Sequence, residues 1–77
     1  MKKSDFLITK DENPWILVEA KSSIEEPLSS RLEYFQRMTG AQYAFQVAVD
    51  APYIRRDCFE NNHPIKVPAR TFLSQLV

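Results

Sequence analysis

Apolar positions fall into short extended runs near both ends of the chain and into a helical rhythm between them. Asp-Phe-Leu-Ile-Thr-Lys at 5–10 is rich in β formers and stops at Asp11-Glu12-Asn13-Pro14, a cluster of turn residues. Trp15-Ile16-Leu17-Val18-Glu19-Ala20-Lys21 follows, and the two runs predict a β-hairpin with a loop of about four or five residues. The second run is apolar on both faces through Val18, the pattern of an interior strand covered on both sides. Leu28, Leu32, Phe35 and Met38 then recur at helical spacing opposite Arg31, Glu33, Gln36 and Arg37, with Pro27 near the start and Gly40 as the stop. From Ala41 to Val49 the chain alternates, with Tyr43, Phe45, Val47 and Val49 on one face and Gln42, Ala44, Gln46 and Ala48 on the other. Strand, helix, strand makes a βαβ unit, whose strands are joined in parallel by a right-handed crossover. After an irregular polar stretch at 53–64, Ile65-Lys66-Val67 predicts a short strand, and Pro68 opens a short helix to Val77 anchored by Phe72, Leu73 and Leu76.

The expected fold class is therefore α/β (α+β). A small mixed β-sheet carries one antiparallel hairpin, a βαβ crossover and a short C-terminal helix. Residues 1–77 read as one domain.

Composition narrows the chemistry. Among 77 residues there is one Gly, so neither a Walker A loop nor a GxGxxG turn can be built. The one His, His63, sits in the surface-turn string Asn61-Asn62-His63-Pro64, and the one Cys, Cys58, has no partner for a disulfide or a CxxC metal clip. A reducing, cytoplasmic setting is the economical inference. Met1-Lys2-Lys3 begins like a signal peptide, but Ser4 and Asp5 break the run at once, and no apolar stretch is long enough to span a membrane. Ten Lys plus Arg balance ten Asp plus Glu, removing the basic excess of most autonomous nucleic-acid binders. Arg31, Arg37, Arg55 and Arg56 read as a solvated surface, with a nucleic-acid path as the competing use. Trp15 reads as a core anchor, and Gln42 and Gln46 as hydrogen-bonding residues of the surface or the helix contact, with an approach to the carboxylates of the second strand, if the third lies beside it, as the competing use.

One constellation stands out from this background. Side chains two apart on a strand share a face, so Glu19 and Lys21 project together. A register with Leu7 opposite Leu17 puts Thr9 opposite Trp15 and Asp5 opposite Glu19, with Cβ atoms roughly 5 Å apart. Like charges across a ladder are destabilising unless something offsets them, and Mg2+ or Mn2+ is one such partner. Beside such an ion a lysine can orient water or stabilise charge developing on a phosphate. The plainer reading is a rim ion pair of Lys21 with Glu19 or Asp5, contributing a few tenths of a kcal/mol.

Asp5-Phe6-Leu7-Ile8 followed by Trp15-Ile16-Leu17-Val18-Glu19-Ala20-Lys21 resembles the PD-(D/E)XK nuclease core, which carries an Asp on one strand and Asp/Glu-x-Lys on the next. More closely, the whole chain resembles the end of the C-terminal domain found in bacterial AAA-family ATPases. The matching segments include Leu32-Glu33-Tyr34-Phe35-Gln36, Tyr43-Ala44-Phe45-Gln46-Val47 and Val67-Pro68-Ala69-Arg70-Thr71-Phe72-Leu73. The resemblance implies a partial nuclease-like core with Asp5 and Glu19 as metal ligands for Mg2+ or Mn2+ and Lys21 as the catalytic lysine. The helix and strand that usually precede the Asp are absent, as is the ATPase part, so the chain is expected to be a truncated piece whose Asp5–Lys10 edge is left open and which pairs with itself through that edge or is poorly stable. Two functions follow: a non-catalytic docking or regulatory module partnered by the ATPase domain of its parent protein, or a Mg2+-dependent phosphodiesterase acting on DNA. No membrane partner is expected.

Overall fold

The hairpin forms, and its turn is tighter than the sequence predicts. The structure is a computed structural model that describes residues 5–76, so the Met1-Lys2-Lys3 start and Val77 lie outside the described residues. Strand β1 (Asp5–Lys10) pairs antiparallel with β2 (Asn13–Lys21), and Lys10 pairs with Asn13. The connection is thus two residues, Asp11 and Glu12, both at positive φ (53° and 68°), as a type I′ hairpin requires. Leu7 opposes Leu17 and Asp5 opposes Glu19 as expected, but Thr9 opposes Pro14 and not Trp15. The register shift between Ile8 and Thr9 makes Trp15 an extra residue of β2, while β1 keeps its alternation.

The crossover helix α1 (Ser30–Thr39) starts at an N-cap, Ser29, whose hydroxyl accepts from the Arg31 N–H at 3.3 Å. It ends at Gly40, whose φ of 76° lets its N–H reach the Gln36 carbonyl at 2.9 Å. Of the predicted apolar stripe, Leu32 is buried and Phe35 packs beside it, whereas Met38 is 64% exposed and Leu28 lies ahead of the helix. A ten-residue helix crossing a small sheet meets it over about two turns, and the ends of the stripe overhang.

Strand β3 (Tyr43–Ala48) lies parallel to β2, and β4 (Ile65–Pro68) parallel to β3, giving the order β1-β2-β3-β4. This is the mixed α/β sheet the sequence predicts. Val49 lies past the end of β3 and is exposed. Helix α2 (Ala69–Ser74) follows β4 directly; Phe72 is buried and Leu76 packs on the core, but Leu73 faces solvent.

Each face of the sheet has its own core. Ile16, Val18, Phe45, Val47, Ile65 and Val67 pack with Phe72 and Cys58 on one side. The ring of Phe59 stacks on Trp15 (6.1 Å between centroids) and meets Phe45 edge-on at 5.5 Å, so Trp15 is a half-buried flank of this core. On the other side Leu17 and Ala44 pack beneath Leu32 and Ala41. The irregular stretch 53–64 is tied to α2: Thr71 Oγ1 accepts from the Ile54 N–H (2.8 Å) and donates to its carbonyl (3.0 Å), and Gln75 accepts from the Cys58 N–H (2.8 Å). Among the described residues no helix is long and apolar enough to cross a membrane.

Candidate functional site

Directly paired residues of adjacent strands share a face, so the register lines up Asp5, Glu19, Gln46 and Lys66 in one row across all four strands. The row lies on the side covered by α1, one step along the strands from the apolar row Leu7, Leu17, Ala44. It contains both carboxylates singled out from sequence, and Lys21, two residues beyond Glu19, joins them. Gln46 and Lys66 complete it.

Glu19 is 2% exposed, and a carboxylate so removed from water needs close positive partners. Arg31, in the first turn of α1, donates from Nη2 to Glu19 Oε2 at 2.5 Å, and Lys21 Nζ stands 3.5 Å from the same oxygen. The solvated-surface reading of Arg31 is therefore corrected. One helical turn above an interior strand, its guanidinium reaches down to the buried carboxylate, and the shared Ser29 hydroxyl accepts from Arg31 Nε at 3.4 Å. Asp5 is half-buried at the sheet edge.

The rest of the row fastens the crossover. Gln46, as buried as Glu19, accepts from the Ser29 N–H at 2.8 Å and donates to the Pro27 and Glu26 carbonyls at 3.0 and 3.3 Å. Lys66 Nζ donates to the Ile24 and Glu26 carbonyls at 3.1 and 3.2 Å. Of the two uses expected for Gln46, the surface and the helix contact, the buried amide serves the second: it bonds backbone groups of the loop that leads into the N-cap of α1. Gln42, by contrast, is exposed. Arg31 and Lys66 were not singled out for this row from sequence, whereas Gln46 approaches the carboxylates as the neighbouring of β2 and β3 allows. The available signal for Lys66 was a charge inside the apolar run Ile65–Pro68.

Mg2+ and Mn2+ need carboxylate oxygens free to turn toward the ion. Glu19 Oε2 instead already faces a guanidinium and an ammonium, and among the described residues no three His, Cys, Asp or Glu side chains converge on a common point. In this arrangement Glu19 Oε2 is shared by two cationic side chains. His63 and Cys58 lie away from the row, His63 exposed in its turn and Cys58 buried in the opposite core. An apolar cleft of about 300 Å³ lies beyond the carboxyl ends of the parallel strands, between Ile24, Ala51, Ile54 and Pro68.

Comparison with family models, with curated proteins and with solved structures gives no match.

Proposed function

We propose that the chain is a non-catalytic docking or regulatory module on a nuclease-like sheet, and that the charged row is structural. The observation that carries this reading is the engagement of Glu19 by Arg31 and Lys21 at 2.5 and 3.5 Å. The carboxylate that a phosphodiesterase would turn toward a metal ion holds α1 to the sheet. The resemblance to the end of AAA-family ATPases supplies the partner, the ATPase domain of a parent protein, and the buried free thiol of Cys58 suits a reducing, cytoplasmic setting.

A second reading, a Mg2+-dependent phosphodiesterase acting on DNA, is favoured by one observation: Asp5 lies directly opposite Glu19, with Lys21 on the same face. It requires Arg31 to leave Glu19. The two readings give opposite results in one experiment. On the structural reading, NMR resonances of Asp5, Glu19 and Lys21 stay in place through a millimolar Mg2+ or Mn2+ titration. Arg31→Met then costs about 2 kcal/mol of stability, less than the roughly 3–5 of a fully buried pair because the Arg31 side chain is 38% exposed. Metal-dependent shifts at those residues, with DNA cleavage that Lys21→Ala abolishes, would sink it.

A further inference from the structure

The outer edge of β1 has no strand beside it among the described residues, and both helices leave it uncovered. Helix α1 lies over β2 and β3 and α2 over β3 and β4. Edge strands left open are usually protected by proline, by central charges or by a bulge of their own. Strand β1 has Phe6-Leu7-Ile8 at its centre, keeps its charges at the ends and is regular, because the bulge lies in β2. Phe6, on the face away from α1, is 50% exposed.

We propose that β1 is a self-recognition strand. Two copies pair antiparallel along Asp5–Lys10, with Leu7 facing its own counterpart across a two-fold axis, so that two four-stranded sheets become one of eight strands. The register follows from parity and from matching. A two-fold perpendicular to the sheet preserves its faces, so each residue must oppose one of the same parity; this excludes Asp5 against Lys10 of the copy. Two even registers pair the most described residues. With Leu7 on the axis, Phe6 opposes Ile8, an aromatic on a β-branched residue, and Asp5 opposes Thr9, whose hydroxyl can donate to the carboxylate. With Ile8 on the axis, Phe6 opposes Lys10 and Leu7 opposes Thr9, setting apolar against polar in four of the five pairs. The first register is the matched one. A strand-to-strand contact of this length is at the small end of interface sizes, so the dimer dissociates on dilution. It rests on the sheet edge alone and holds whether the charged row is structural or binds metal.

The test is sedimentation equilibrium over a concentration series. Wild type shows a monomer–dimer equilibrium. Thr9 is exposed, so its substitution leaves the protomer fold intact, as circular dichroism checks. Thr9→Asp opposes two carboxylates at each end of the interface and weakens the dimer about tenfold, whereas Thr9→Lys meets Asp5 of the copy and tightens it by a comparable factor. Phe6→Lys, a second variant, removes the aromatic pair and favours monomer. A wild type that stays monomeric at every concentration overturns the proposal. A dimer that both Thr9 variants weaken alike overturns this register, and a dimer indifferent to all three variants assigns association to another surface.

Discussion

Glu19 shows how a single residue's role changes between chain and fold. In the sequence it is the middle of a Glu-x-Lys, a spacing that suits a rim ion pair or a metal ligand equally. In the fold its carboxylate lies beneath a helix and takes its closest partner, Arg31, from twelve residues away. No periodicity announces that contact, because Arg31 alternates with apolar residues as any solvated helix position does. Cys58 carries a second residue-scale consequence. Burial raises its thiol pKa above the ordinary 9.0, with Arg56 nearby opposing the shift and Asp57 adding to it. A folded-state pKa above the unfolded one contributes stability that is complete below the unfolded value and is lost as pH rises through the folded one. Denaturant melts from pH 7 to 11 will therefore show wild type losing stability relative to Cys58→Ala above about pH 9, with the difference constant below it. A constant difference at every pH would show that burial does not govern the thiol.

At the scale of elements, the hairpin, the crossover helix, the third strand and the closing strand and helix were all legible. Each rests on a local signal: β-rich runs, a 3.6-residue rhythm, a glycine stop, strict alternation. Lengths and exact faces were less legible. Asp11-Glu12-Asn13-Pro14 looks like a four-residue loop because all four are turn formers, yet Asn13 and Pro14 extend β2 and two residues make the turn. That geometry forces Glu12 to φ 68°, a left-handed conformation costing a non-glycine residue about 1–2 kcal/mol. Glu12→Gly is accordingly expected to stabilise the protein by about 0.5–1 kcal/mol in equilibrium unfolding, after the greater entropy of glycine in the unfolded chain is set against the relieved strain. A loss of stability would mean that the Glu12 side chain contributes more than its backbone costs. The overhang of Leu28 and Met38 has the same origin as the turn error: local pattern gives the apolar face of an element, and the extent of its neighbour decides how much of that face is covered.

For the whole molecule, a radius of gyration of 11.5 Å agrees with the roughly 11.5 Å expected of a compact chain of this length. Two small cores flank one sheet, and β1 contributes to both while no strand among the described residues pairs with its outer edge. A chain this small has only marginal stability, so association linked to the folded state is visible in melting. The Tm of wild type should rise with protein concentration, and that of Phe6→Lys should not; an equal, flat Tm in both would argue against association through this edge. The sequence by itself determined the elements and their order, because alternation and turn chemistry act over a few neighbouring residues, whereas the Asp5–Glu19 opposition also needed the bulge at Trp15. Only the tertiary structure decided that Arg31, Gln46 and Lys66 meet the same row. Those contacts depend on which strands become neighbours and on how far a helix stands above them, distances fixed by packing and not by spacing along the chain.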